Sequence, residues 1–292
     1  MQYIISFYQI NLMEQPMQNK SMLPGAIIIA GTLIAISIIF KSSSSKGQAD
    51  IQATKVHVQA TISDGGHILP LGTEKNMLDK LTKDGVIDGS KLPQVTELNL
   101  LWAFGLADKN RILESGTISD LRYGGPMNMA SVGGWSVSDG SPSDHMSKHG
   151  YVTLTLEQQS LVEKVSKGIY RPCCNNSTYF PDCNHCMAML GLLEYLAAQE
   201  ATEDQIWSAA LTANTIWFPD AYQTIAQYME EKGIDGKTVS PQEILSADYS
   251  SASGFAKISA QVTPLPNPKG SNGCGVDARQ SIDASKQPSC GV

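Results

Sequence analysis

The chain has 292 residues, with 28 acidic against 21 basic side chains and a formal net charge of −7. An acidic chain without a basic stripe lacks what a phosphate backbone needs, so nucleic acid is not an expected partner. At 42% hydrophobic and 17% charged residues, the chain can bury a core, and wholesale disorder is excluded.

Residues 1–21 form an N-terminal segment to which no function is attached. Met13, Met17 and Met22 offer alternative starts. From Met22 to Phe40 the sequence MLPGAIIIAGTLIAISIIF carries no charge and is bracketed by Lys20 and Lys41. As a helix it would be about 28 Å long, against roughly 30 Å of bilayer hydrocarbon. A soluble core helix would keep a polar stripe, and a cleaved signal peptide would have a shorter apolar stretch and a small-x-small cleavage site. The expectation is therefore a single-pass transmembrane signal-anchor over residues 22–40, making the membrane one partner. Flanking lysines are nearly balanced, so orientation rests on the bulk of the chain that follows, which is placed outside the cytoplasm.

Residues 41–54 read as a flexible Ser- and Lys-rich linker. Lys55–Ile62 alternates Val56, Val58, Ala60 and Ile62 with polar neighbours, a short β signal. Helical signals dominate beyond it: Thr73–Leu81, Val95–Leu106, a Thr155/Gln158 capping box opening a helix to about Ile169, and an almost wholly apolar Met187–Ala198. Thr202 caps the next helix, Pro219 starts another that stops at Gly233, and Ser240-Pro241 starts a last one through about Ala247. The fold class expected is mainly α: a mostly helical domain over 55–262, with a short β element near its start and the transmembrane helix before it. Tyr123–Ser143 holds five glycines and two prolines and reads as a long loop. Residues 263–292 read as a flexible tail in which Cys274 and Cys290 each precede Gly-Val.

The densest chemistry lies in Arg171–Met187, RPCCNNSTYFPDCNHCM. Cys173, Cys174, Cys183 and Cys186 fall within 14 residues, with His185 inside the second pair. Thiolates and imidazole suit soft or borderline cations, so these five residues are the candidate ligands for zinc or copper. Adjacent Cys173 and Cys174 would not easily both reach one tetrahedral ion. Met127/Met129 and Met187/Met189 lean toward copper, although helical spacing puts Met187 and Met189 on different faces and favours core packing.

Two alternatives stand beside the metal. Cys183-Asn184-His185-Cys186 at a helix start favours a thiolate, as a thiol–disulfide oxidoreductase with Cys183 as nucleophile and Cys186 as resolving thiol would need. Over these four residues it resembles the Cys-x-His-Cys centre of oxidising thioredoxin-fold proteins. That fold requires a strand before the motif, and the helical context here gives none. A thiol-bearing protein would then be the partner. The third reading is a disulfide-stapled structural or interaction domain.

His145 and His149 in SDHMSKHG would share one helix face if that segment were helical, the spacing two imidazoles need for one ion, but the segment is short and lacks the glutamate of His-Glu-x-x-His hydrolases, so solvated loop histidines are the expectation. His57 and His67 carry no motif. Trp207, Trp217, Phe218 and Tyr222 keep helical spacing and read as core. The expectation as a whole is a membrane-anchored, extracytoplasmic protein that binds a soft transition-metal ion through its Cys/His cluster.

Overall fold

The computed structural model describes residues 68–69, 73–133 and 137–265. The segments read as transmembrane helix (22–40), linker (41–54) and strand (55–62), together with His57, His67, Cys274 and Cys290, lie outside the described residues. Among the described residues no helix is long and apolar enough to cross a membrane. They are mainly helical and contain no strand; backbone pairing beyond the helices is limited to isolated bridges such as Asp108 with His149.

Helix α1 (Thr73–Lys83) turns Met77 and Leu81 inward and keeps the Lys75–Asp79 pair in solvent. Helix α2 (Glu97–Ala107) starts at a capping box of Thr96 and Asn99 and is buried from Leu100 to Ala107. Short helices α3 (Arg111–Ser115) and α4 (Ala130–Gly133) follow. Helix α5 (Leu156–Ser166) begins at the expected Thr155/Gln158 capping box. Helix α6 (Asn184–Ala198) is buried at every position from Asn184 to Glu194, as the almost wholly apolar sequence from Met187 implies. Helix α7 (Glu203–Trp217) starts at Thr202, and α8 (Pro219–Glu231) starts at its proline. Trp207, Trp217, Phe218 and Tyr222 are all buried.

Two sequence expectations need correction. The helix expected from Ser240 to about Ala247 is broken into α9 (Pro241–Ile244), α10 (Ala247–Ser250) and α11 (Ala252–Ser259). Ser246 and Ser251 both take extended backbone, and the Ser251 side chain caps the N–H of Gly254, so each serine starts a new helix. The glycine-rich stretch after Tyr123 is built of tight turns rather than open loop. Gly124 and Gly125 adopt left-handed backbone (φ 89° and 75°), a 3₁₀ turn spans Pro126–Asn128, and α4 follows directly.

Helices α2 and α6 form the spine. They meet at Gly105 and Gly191: a Cβ on Gly105 would stand 2.3 Å from the Met187 carbonyl oxygen, and one on Gly191 would stand 2.4 Å from that of Leu101. Only glycine permits backbones this close. The spine fixes α6, and the N-terminus of α6 carries the cysteines.

Candidate metal centre

The loop from Ile169 to Cys183 is held on three sides before any sulfur is considered. Its base closes on itself, with the Thr178 N–H and hydroxyl both donating to the Ile169 carbonyl (2.9 and 3.1 Å). On one flank the Asn214 amide of α7 donates to the Tyr170 carbonyl at 2.8 Å. On another, the first residues of α11 clamp the cysteine pair: Ala252 N–H donates to the Cys174 carbonyl (3.0 Å) and Ser253 N–H to Asn175 Oδ1 (2.9 Å). At the far end Ser131 of α4 donates its hydroxyl to the Pro181 carbonyl (2.6 Å) and its N–H to that of Asp182 (3.1 Å).

Cys183 then serves as the N-cap of α6, its Sγ accepting the Cys186 N–H at 3.3 Å. The first helical turn swings Cys186 back beneath Cys183. The result is a convergence of four sulfurs from two chain segments. Sγ–Sγ separations are 3.8 Å for Cys173–Cys174 and Cys173–Cys183, 3.7 Å for Cys174–Cys183 and Cys174–Cys186, and 3.0 Å for Cys183–Cys186. Vicinal Cys173 and Cys174, which the sequence suggested would compete, both come to within 3.8 Å of Cys183.

Those lengths carry chemical information. A tetrahedral ion with metal–sulfur bonds of about 2.3 Å needs ligand sulfurs about 3.8 Å apart. Four of the five separations therefore suit one ion and only the Cys183–Cys186 pair is closer, whereas a multi-iron cluster would hold its cysteine sulfurs much further from one another. Cys174, Asp182, Cys183 and Cys186 place one ligand atom each within 4.8 Å of all the others, a set that could hold a metal ion. The carboxylate of Asp182 is a member that the cysteine spacing did not reveal. Its Oδ1 lies 3.4 Å from the Cys186 sulfur while its Oδ2 accepts from the Asn176 amide at 2.7 Å.

All four thiols are free and lie between 0 and 6% exposed. The stapled-domain reading thus finds no disulfide among the described residues. Burial pushes the Cys173 and Cys186 thiols well above the ordinary range. Cys174 moves the other way: hydrogen bonds from Cys173, Cys183 and Cys186, with help from Arg171, hold it well below that range. One thiolate is thus favoured before any cation arrives.

Arg171 explains how negative charge is tolerated here. Its side chain is wholly buried, and its Nη2 donates to the carbonyls of Asn176 (3.0 Å) and Ile169 (3.3 Å). Burial alone would weaken its proton affinity, yet the sulfurs, Cys186 foremost, raise it above the ordinary value. A dication held by four thiolates carries a net charge of −2, and a buried charge of that size needs a partner. The guanidinium supplies one.

His185 is in a different place from the sulfurs. Its ring packs against Phe218 (centroids 4.6 Å apart) and Trp217 (6.0 Å), and it does not belong to the group of mutually close ligand atoms; Cys173 also lies outside that group but keeps its sulfur 3.8 Å from those of Cys174 and Cys183. Burial first, then Arg171, lowers its pKa to about 4, leaving a neutral ring. Met187 and Met189 are completely buried in the core, whereas Met127 is 67% exposed. Comparison with protein-family models, with curated proteins and with solved structures finds no match for this chain.

Proposed function

We propose that this chain binds one soft or borderline transition-metal ion, zinc or Cu(I), at a buried and non-catalytic site. Cys173, Cys174, Cys183 and Cys186 supply the ligands, Asp182 is the alternative oxygen donor, and Arg171 is the fixed counter-charge. His185 supports the loop as a neutral ring rather than coordinating. The observation that carries this reading is the convergence of the sulfurs at separations near a tetrahedral edge. Their burial favours stable holding over turnover, since a substrate would have to reach sulfurs that solvent does not. In the same reading residues 22–40 tether the domain to a membrane with the metal-binding part outside the cytoplasm, supported by the 19 uncharged residues from Met22 to Phe40.

Elemental mass spectrometry on the purified full chain, paired with thiol alkylation, tests the site. One ion per chain is expected, with the four loop thiols protected until a chelator is added. Metal-free protein whose loop thiols alkylate at once in the native state would end the proposal. Carbonate extraction of membranes tests the tether: the chain should remain in the pellet, and deletion of residues 22–40 should release it.

A second reading draws on one distance. Cys183 and Cys186 are the closest sulfur pair, at 3.0 Å, at a helix N-terminus where a dithiol can cycle with a disulfide. Reduction of insulin disulfides that disappears in Cys183→Ser would favour this oxidoreductase; no such activity would remove it.

A further inference from the structure

We propose a second, independent metal site, formed by His145 Nδ1 and His149 Nε2, that takes a borderline divalent cation such as Zn²⁺ and completes its coordination with water. These two nitrogens lie 3.2 Å apart. Two imidazoles bound to one ion at about 2.05 Å in tetrahedral geometry sit about 3.3 Å apart, so the observed spacing already suits a shared ion.

The segment is not a helix, and the histidines meet by another route than the one-turn spacing would give. A 3₁₀ turn covers Pro142–Asp144, and Ser147, midway between the two rings, takes left-handed backbone with φ 52°. A non-glycine residue there is strained and persists only where its surroundings impose it. The surroundings do so: the N–H groups of Ser147 and His149 each donate at 2.8 Å to the carbonyls of Leu106 and Ala107, at the end of α2. The N–H of Lys109 returns the contact to the His149 carbonyl at 2.7 Å.

The rings are fixed as firmly as the backbone. His149 lies between His145 (centroids 5.4 Å, planes 23° apart) and Tyr151 (5.3 Å, 3°). Its Nδ1 faces the Asp84 carboxylate at 3.8 Å, which favours the proton on Nδ1 and leaves the Nε2 lone pair directed at His145. A carboxylate behind the distal nitrogen of a metal-binding imidazole is the usual orienting device in such sites. Both rings are only half-buried, so water can reach the remaining coordination positions. Without a cation, the same pair is a plain imidazole–imidazole hydrogen bond in which a proton occupies the place of the ion.

Zinc titration of the metal-free full chain, read by bound equivalents and by imidazole nitrogen shifts in NMR, separates these states. The wild type should take a second, weaker equivalent, absent in His145→Gln and in His149→Ala, with circular dichroism confirming that both variants fold. Asp84→Asn should weaken that equivalent about tenfold. A double Cys174→Ser/Cys183→Ser variant should keep it while losing the other ion, so the two sites fail separately. Histidine variants that bind as much zinc as the wild type, or imidazole signals unmoved by zinc, would overturn the site.

Discussion

Gly105 of α2 and Gly191 of α6 touch backbone to backbone, each leaving less than 3 Å for a Cβ beside the other helix. Gly191→Ala should therefore force the spine apart and cost roughly 2–3 kcal/mol, the scale of core overpacking. Gly150, where a Cβ meets nothing within 4 Å, provides the control: Gly150→Ala should stay within about 0.5 kcal/mol of wild type. Urea melts of both variants check the contrast.

Removal of the proposed ion should destabilise the whole chain. If the ion is held at about a hundred times its dissociation constant, it contributes about 2.7 kcal/mol, which is a Tm shift of roughly 5–10 °C at this size. Differential scanning calorimetry before and after chelation measures this. An unchanged Tm with stoichiometric metal loss would contradict a structural role for the ion.

Glu194 sets a pH dependence. It is fully buried on α6, with Asp108 and the Asn110 amide as its polar neighbours. Burial, then the neighbouring Asp108, pushes its pKa well above the ordinary value of 4.5. The folded chain keeps a proton that the unfolded chain gives up above about that pH, so stability should fall as pH rises from there. Asp108 adds to the same trend between 3.8 and about 6, its burial outweighing the backbone N–H groups of Val152 and Tyr151 that it accepts. Glu194→Gln should flatten the slope above pH 6 and raise stability at pH 8 by ~1 kcal/mol or more. Denaturant midpoints across pH 4 to 9 check it.

Tyr222 ties α8 to both sides of the cysteine loop. Its hydroxyl accepts from the Asn214 amide (2.9 Å), the same amide that holds Tyr170, and lies 2.7 Å from the Ser250 hydroxyl. Tyr222→Phe removes one oxygen from this buried relay and should cost about 1–2 kcal/mol. Chemical denaturation gives the stability loss, and faster metal release to a chelator would show that the relay steadies the loop.

Local signals in the sequence proved sufficient for most helices. Thr155 with Gln158, Thr202 and Pro219 start helices where the chain chemistry says they must. The almost wholly apolar run after Met187 is the buried spine. What the sequence concealed depends on contacts between distant segments. Asp182, next to Cys183 in sequence, meets the Cys186 sulfur once Ser131 holds the backbone at Pro181 and Asp182, and Arg171 reads as a loop residue until the fold encloses it. His185 sits between Cys183 and Cys186 in sequence, yet helical geometry turns its ring toward Phe218. The His145–His149 meeting relies on a left-handed serine and on carbonyls at the end of α2, and no residue spacing encodes either.

The Cys183 sulfur both begins α6 and, in the proposed site, grips the ion. Cargo and architecture therefore hang on a single atom. Oxidation of that sulfur would therefore disturb the first turn of the central helix along with the proposed ligand set, whereas a thiol left without an ion still accepts the Cys186 N–H.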